Sequence, residues 1–202
     1  MSEDINIRSR GYLPHWERTG SVYFVTFRTA DALPAKVVSY LESLREDILR
    51  TAEQNDRQLN ISEEHRLARL QVVDKYLDAG EGACHLAKPN IAAVVAEALR
   101  HFDGERYQLI AWCIMPNHVH VVLKLERHTA LSSVLHSWKS FTAKKINETL
   151  NRGGEFWQRE YYDHVVRNEA DLERVVRYVV ENPVKAKLHG WRWIWIRSAP
   201  TT

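Results

Sequence analysis

The sequence predicts an α+β fold of the ferredoxin-like type, in which an antiparallel sheet with split βαβ connections packs against helices. The 202 residues are 45% hydrophobic and 27% charged, which is ordinary for one soluble domain with a sizeable core. Stretches rich in β-branched and aromatic residues alternate with stretches whose apolar residues recur at helical spacing. Their order is strand, helices, two strands, helix, strand, helix. The prediction is a single domain over residues 1–202.

The first half of the chain supplies one strand, a charged helical region and one amphipathic helix. SVYFVTFRT (21–29) is typical of a strand, and a helix over 35–55 follows Pro34. Residues 56–90 are charged and include the helical pattern ISEEHRLARLQVVDKYLDAG, so much of 50–90 is predicted to be a helical insertion in the core fold. NIAAVVAEALRHF predicts a helix over 90–102 with Asn90 as its N-cap.

The second half supplies the remaining elements. The predicted elements are strands over 107–115 and 118–125 joined by a turn at Pro116-Asn117, a helix over 131–150, a strand over 156–168 and a helix over 169–183 ended by Pro183. Trp191, Trp193 and Trp195 alternate, which predicts a final edge segment packed through one face.

Composition argues against a secreted or membrane protein. The polar N-terminus has no apolar stretch of the kind a signal peptide needs, and no apolar run approaches the roughly 18 residues of a membrane span. Cys84 and Cys113 fit no metal or redox spacing, so we expect buried free thiols in a reducing compartment. The expectation is a cytoplasmic protein with no membrane partner.

The net charge of +2 conceals an uneven distribution of charge. Residues 36–82 hold seven Lys or Arg against ten Asp or Glu, whereas residues 172–197 hold six against two. A basic C-terminal part favours a polyanionic partner such as nucleic acid. Charged helix faces that simply contact solvent are the alternative interpretation.

Two histidines in the strand MPNHVHVVLKL are the first candidate functional residues. Strand side chains alternate with period two, so His118 and His120 leave the same face. The opposite face carries Val119, Val121, Leu123 and Leu125, which is a core pattern. Two adjacent imidazoles form half of a metal site, and the other half must come from elsewhere in the chain.

The last long helix offers a partner for these imidazoles. Its apolar stripe is Leu172, Val175, Val176 and Val179, and a second stripe beside it is Arg174, Tyr178 and Asn182. When the valines pack on the sheet, a phenol and an amide lie at the edge of that interface. The alternative is that Tyr178 reaches solvent and Asn182 only caps the helix before proline.

Three blocks in one order resemble a known family. MPNHVHVVL, FWQREYYDHVVRN and RYVVENPVKAKL together resemble the single-tyrosine HUH transposases (the IS200-like transposases). GYLPHWE followed by VYFVTFR is most similar to the REP-associated tyrosine transposases of that family. The resemblance covers most of residues 11–191 and is weakest across 50–90. It implies the HUH architecture, Tyr178 as the catalytic residue, and His118, His120 and Asn182 as ligands of Mg²⁺ or Mn²⁺.

The resemblance also implies a reaction. Such enzymes cut single-stranded DNA through a 5′-phosphotyrosine intermediate and leave a free 3′-OH that can rejoin a strand. A tyrosine of ordinary pKa near 10 needs activation at pH 7, which a bound cation can assist. Histidine ligates when neutral, so activity is expected to fall below about pH 6.5. Because all three ligands are neutral, DNA phosphate is expected to raise metal affinity.

Further residues are candidates for contact with single-stranded or hairpin DNA. They are Trp138, Lys139, Lys144, Lys145, Arg174, Arg177, Lys185, Lys187 and Arg192, with Arg8, Arg10 and Arg18 near the N-terminus. Tyr161 and Tyr162 are competing nucleophiles or packing groups, and His164 is either a DNA-orienting or a structural histidine. The oligomeric state stays open between monomer and homodimer. Two other functions also stay open: a metal-dependent hydrolase using His118 and His120, and a domesticated nucleic-acid-binding module.

Overall fold

The computed structural model describes residues 6–9, 14–17, 20–40, 43, 73 and 76–198. Residues 35–40 of the predicted 35–55 helix are helical. Most of the predicted 50–90 insertion lies outside the described residues, as do Arg10, Arg18 and the side chain of Arg8.

Short elements build a five-stranded sheet and a separate hairpin. The strands are β1 (Asn6–Ser9), β2 (Pro14–Glu17), β3 (Val22–Arg28), β4 (Tyr107–Ile114), β5 (His118–Leu125), β6 (Tyr162–Val165) and β7 (Ile194–Ile196). The helices are α1 (Pro89–His101), α2 (Leu131–Thr149) and α3 (Glu169–Lys185), and a 3₁₀ turn at His85–Ala87 precedes α1.

The sheet has the strand order β6-β3-β5-β4-β7, and every neighbouring pair is antiparallel. Without β7, the order places the fourth strand beside the first and the third between the first and second, as a split βαβ fold requires. The predicted α+β class and sheet are therefore confirmed. β1 and β2 form a two-stranded sheet of their own, which the sequence pattern did not predict.

The sheet separates two layers with different roles. One face packs against α1 and α2 in the larger core, which includes Val119, Val121 and Leu123 of β5. The other face packs against α3 in a smaller core around Phe24, Val122 and Val179. Alternation along β5 therefore directs Val119 and Val121 into the larger core and the two histidines toward α3. The predicted alternation is confirmed.

Two helix ends differ from the sequence prediction. Helix α1 begins at Pro89 with Lys88 as N-cap and no side-chain cap, so the prediction of Asn90 as N-cap is wrong. Proline suits the first helical position because its missing N–H has no helical partner there. Helix α3 continues through Pro183 to Lys185, since the N–H groups of Ala186 and Leu188 bond the carbonyls of Asn182 and Pro183.

The predicted strand over 156–168 is shorter in the structure. Only Tyr162–Val165 forms a strand, and Trp157 makes an isolated bridge with Thr29. The ammonium group of Lys139 donates to the carbonyls of Gln158 and Arg159 at 2.6 and 2.8 Å. These two carbonyls are bonded to a side chain of α2 and not to a neighbouring strand. The sequence pattern of 156–168 does not reveal such a contact.

Cys113 is a buried free thiol as predicted, and Cys84 is free but only half-buried. Trp193 and Trp195 pack on the larger core, but Trp191 packs on the smaller one, so the prediction of a single packed face is wrong. Among the described residues, no helix has the length and apolarity to cross a membrane.

Candidate active site

The two imidazoles meet at the start of β5. Register with β3 sets Thr26 opposite His120 and Arg28 opposite His118. Both histidines are 1% exposed, and their Nε2 atoms are 3.0 Å apart. A strand that places two histidines two residues apart thus brings the same ring nitrogen of each to one point.

The outer nitrogens of both rings are held by neighbours. His118 Nδ1 lies 2.7 Å from Asn117 Oδ1, and Asn117 Nδ2 donates to the carbonyl of Glu81 at 2.9 Å. His120 Nδ1 lies 2.7 Å from Thr26 Oγ1. Such contacts fix ring orientation and leave the inner nitrogens for a ligand.

Helix α3 brings Asn182 to the same point. Its side chain is buried, and its Oδ1 accepts no hydrogen bond. The amide opposes the lowering of both histidine pKa values, because it would accept a hydrogen bond from either ring once that ring is protonated. Asn182 therefore directs an unsatisfied oxygen toward the paired imidazoles, and buried oxygens in that state are rare.

Burial controls the protonation of the two histidines. It lowers the pKa of His118 well below its ordinary value, with the neighbouring His120 and Arg28 lowering it further. It lowers the pKa of His120 to about 3. Burial therefore favours the neutral, ligating form of both rings.

Tyr178 lies one helical turn before Asn182 and beside the imidazoles. The ring centroids of Tyr178 and His120 are 5.2 Å apart with an interplanar angle of 77°. Phe24 packs edge-on against Tyr178 at 5.6 Å and stacks on His120 at 5.7 Å. The ammonium of Lys185 lies 5.1 Å from the Tyr178 ring centroid. The phenol is half-buried at the rim of the histidine pair.

The donor set suits a divalent cation. Within the described part of the chain, no three His, Cys, Asp or Glu side chains group to hold a metal, so the third donor here is an amide. The two Nε2 atoms, 3.0 Å apart, place two imidazole donors side by side. The orphaned Asn182 oxygen completes a neutral set of two nitrogens and one oxygen.

The N-terminal end of α3 is anchored by a polar cluster. Asn168 caps the helix by accepting from the N–H of Asp171. The Asp171 carboxylate bonds His164 Nε2 on β6 at 2.8 Å and Arg174 at 2.5 Å. These hydrogen bonds hold the pKa of Asp171 at about 2, against the raising effect of its burial. His164 therefore has a structural role, which was one of the two alternatives left open for this residue.

The two competing tyrosines, Tyr161 directly before β6 and Tyr162 at its first position, pack on opposite sides of the sheet. Tyr161 packs against the larger core, away from the histidines. Tyr162 packs against the smaller core, with its ring 6.1 Å from that of Phe24. Only Tyr162 shares a layer with the site, as alternation along a strand predicts.

The candidate DNA-binding residues of α2 lie away from the site. Trp138 is 2% exposed and donates from Nε1 to the Tyr107 hydroxyl, so the prediction that it stacks on bases is wrong. Lys139 is engaged with backbone carbonyls, and burial lowers its pKa to about 8. Lys144 and Lys145 are exposed, but on a helix that covers the opposite face of the sheet.

The candidate basic residues of the C-terminal part are exposed. Arg174 pairs with Asp171, Lys185 with Glu181 at 3.6 Å, and Arg192 lies over the Trp193 ring at 5.4 Å. Arg177 and Lys187 are exposed as well. These side chains belong to α3 or follow it, and α3 also carries Tyr178.

Sequence reasoning missed Thr26 and Asn117. Asn117 was interpreted as a turn residue, although its position directly before His118 was a signal. Thr26 could be found only through the β3–β5 register, because 93 residues separate it from His120 along the chain.

A family model matches the central part of the chain. The family model of IS200-like transposases matches residues 86–182, which include all of α1, β4, β5, α2 and β6 and most of α3. The predicted resemblance to IS200-like transposases is confirmed over residues 86–182.

Two similar curated proteins are described as REP-associated tyrosine transposases. A protein of Escherichia coli K12 with that description is 30% identical over 86 residues, which cover 42% of this chain and 47% of the relative. A protein of Haemophilus influenzae, also described as a REP-associated tyrosine transposase, is 26% identical over 95 residues, covering 42% and 52%. The chain matches about half the length of these curated relatives.

A solved structure of a REP-associated tyrosine transposase bound to a REP hairpin is also similar. It shares 18% sequence identity with a TM-score of 0.47, over 95% of this chain and 76% of that one.

Proposed function

We propose that the chain is a tyrosine HUH transposase that nicks and rejoins single-stranded DNA, with Tyr178 as nucleophile. The observation that carries the proposal is the meeting of Tyr178 with His118, His120 and the unsatisfied oxygen of Asn182. The IS200-like transposase domain over 86–182 supports it, because that domain contains all four residues.

The chemical step follows from the position of the phenol. The Tyr178 oxygen attacks the scissile phosphorus, the phosphorus–3′-oxygen bond breaks, and the strand's 5′-phosphate remains on the tyrosine. The phenol proton leaves to solvent, and the released 3′-oxygen is protonated to a hydroxyl. Attack by another 3′-OH on the phosphotyrosine reverses these bond changes and joins two strands. The ammonium group of Lys185 lies 5.1 Å from the Tyr178 ring centroid, so a positive charge stands beside the proposed nucleophile.

His118, His120 and Asn182 would hold Mg²⁺ or Mn²⁺. Such a cation, when bound, offsets charge on the phosphate and on the leaving oxygen. The deep burial of both imidazoles keeps them neutral and available as donors across the physiological pH range. Because no carboxylate joins the set, the phosphate of the DNA is the anion that compensates the cation. Metal affinity is therefore higher with DNA present than without it.

The partner is proposed to be single-stranded or hairpin DNA of a palindromic repeat. This rests on the REP-associated relatives and on the exposed basic side chains of the α3 layer, among them Arg177 and Lys187. Their charges lie in the layer that carries the nucleophile, where a strand entering the site needs neutralisation.

A covalent adduct assay tests the function. The protein is incubated with a labelled single-stranded hairpin oligonucleotide and Mn²⁺, then denatured and separated by electrophoresis. The wild type is expected to give a DNA–protein adduct that survives denaturation, whereas Tyr178→Phe gives none and still binds the oligonucleotide.

Tyr162→Phe is the matched control, because Tyr162 packs in the same core but is not the proposed nucleophile. It is expected to form the adduct at the wild-type level. Adduct formation by Tyr178→Phe would overturn the assignment, and cleavage without any adduct would favour a metal-dependent hydrolase using His118 and His120.

A further inference from the structure

The two site histidines are held in different tautomers when no cation is bound, and the reason begins at Asn117. The carbonyl of Glu81 can only accept a hydrogen bond, so the atom of Asn117 that faces it at 2.9 Å is the amide nitrogen. The other end of the amide, 2.7 Å from His118 Nδ1, is therefore the oxygen. It accepts from His118, which places the ring hydrogen on Nδ1 and leaves a lone pair on Nε2.

The contact between the two rings then fixes the second tautomer. The Nε2 atoms of His118 and His120 are 3.0 Å apart, which is a hydrogen-bond distance and needs one hydrogen between them. Since His118 Nε2 carries the lone pair, His120 Nε2 carries the hydrogen and donates it. His120 Nδ1 is then an acceptor, and the Thr26 hydroxyl 2.7 Å away is its donor.

A cation shared by both Nε2 atoms needs a lone pair on each. His118 already presents one, but His120 must carry its hydrogen on Nδ1 instead of Nε2, with no net gain or loss of a proton. The ring then donates to Thr26, so the threonine oxygen changes from donor to acceptor. A hydroxyl can do both by rotation, whereas a carbonyl or an ammonium group cannot.

We propose that Thr26 is a positioning residue that lets His120 exchange tautomers when a divalent cation binds. Asn117 Oδ1 can only accept a hydrogen bond, so it keeps the hydrogen of His118 on Nδ1 and leaves the lone pair of Nε2 available to the cation. The proposal rests on the proposed function, which supplies the cation. It adds Thr26 as the residue that can hydrogen-bond His120 both with and without that cation. Thr26 is buried, and the atom it presents to the site is the hydroxyl bonded to His120.

Nitrogen NMR of the full chain with ¹⁵N-labelled histidine tests the tautomers directly. In the metal-free protein, His118 is expected as the Nδ1–H form and His120 as the Nε2–H form. Addition of Zn²⁺, a diamagnetic probe, is expected to convert His120 to the Nδ1–H form and leave His118 unchanged. Finding His120 as the Nδ1–H form before metal is added would overturn the proposal.

Calorimetry with Mn²⁺ tests the role of the hydroxyl. Thr26→Val keeps the shape of the side chain but leaves the Nδ1–H of metal-bound His120 without an acceptor, so Mn²⁺ affinity is expected to fall roughly 10- to 100-fold. Thr26→Ser restores the hydroxyl and is expected to bind as the wild type does. Wild-type affinity in Thr26→Val would refute the proposal.

The proposed function and the proposed role of Thr26 are refuted by different measurements. A wild type that forms no covalent DNA adduct contradicts the proposed function, while the tautomers of the metal-free protein are measured without DNA or catalysis. Should Thr26→Val not fold, the wild-type spectra still decide the proposal.

Discussion

At the scale of single residues, the absence of charge among the three donors distinguishes this site. His118, His120 and Asn182 are all buried, and burial keeps both rings neutral. A carboxylate in place of the amide would compensate a cation without DNA. On the proposed function, asparagine at this position therefore links cation binding to the presence of a phosphate.

Asn182→Asp is predicted to weaken that link. The added negative charge should raise the Mn²⁺ affinity of the DNA-free protein and reduce the further gain on adding an oligonucleotide. Calorimetric titration with and without a single-stranded oligonucleotide measures both quantities. Asn151→Asp, at an exposed position, is the control and should leave both unchanged. An unaltered ratio of the two affinities in Asn182→Asp would count against the neutral-donor argument.

At the scale of elements, helix α3 carries the nucleophile and the amide, and its first turn is fixed to β6. Asp171 joins His164 and Arg174 two helical turns before Tyr178. The sequence predicted the helix and its apolar stripe from periodicity. It could not predict the His164–Asp171 pair, because that contact depends on where β6 enters the sheet.

Asp171→Asn is predicted to destabilise the fold in a pH-dependent way. The folded-state pKa of Asp171 is about 2 and its unfolded value is about 3.9, so its stabilisation is fully present above pH 4 and is lost as the pH falls toward 2. We expect a loss of about 2 kcal/mol at pH 7 that shrinks toward zero near pH 2. Urea unfolding across this pH range measures it.

Glu173→Gln on the exposed side of the same helix provides the comparison for that experiment. It should change the free energy of unfolding little at any of these pH values. A pH-independent loss in Asp171→Asn would show that the carboxylate charge is not the source of the stabilisation.

The backbone of the segment before α1 passes close to Asp31, and this segment supports His118 through Asn117. Gly82 has φ +88°, and a Cβ there would lie 2.5 Å from the carbonyl oxygen of Asp31. The adjacent Glu81 carbonyl holds Asn117, which in turn holds His118. This segment could not be placed from sequence, because its partners are a β3 loop and a hairpin turn far away in the chain.

Gly82→Ala is predicted to lower both stability and Mn²⁺ affinity. The clash adds to the cost of a left-handed alanine, and together they should reduce the free energy of unfolding by about 1–3 kcal/mol. Gly104→Ala is the matched control, because Gly104 has φ +90° but nothing within 4 Å of its Cβ position. Equal losses in the two variants would rule out the contact with Asp31 as a cause.

At the scale of the whole molecule, the sheet separates a structural layer from a functional one. Helices α1 and α2 cover the larger core, and α3 covers the histidine face. Alternation in the strands predicted this division, and it placed the imidazoles of β5 on one face and Val119 and Val121 on the other. It could not show that Trp138 is buried, since a tryptophan among lysines on a helix fits a base-stacking surface and a core position equally well.

The division into two layers predicts which basic side chains contribute most to DNA affinity. Arg177→Gln and Lys187→Gln, in the α3 layer, should weaken binding of a single-stranded oligonucleotide and reduce the slope of log affinity against log salt by about 0.7 each. Lys144→Gln and Lys145→Gln, on α2, should change that slope little. Fluorescence anisotropy at a series of salt concentrations measures the slopes. Equal effects from both pairs would show that the strand also crosses the α2 face.

Helix α3 joins the proposed nucleophile to the proposed third donor of the cation. Tyr178 and Asn182 project from a single rigid rod, one turn apart, while both imidazoles stay with the sheet. Any tilt or withdrawal of that rod removes the attacking oxygen and the third donor in the same movement. On the proposed function, the phenol is not presented to a strand without the third donor, so Tyr178 and Asn182 act or are withdrawn together.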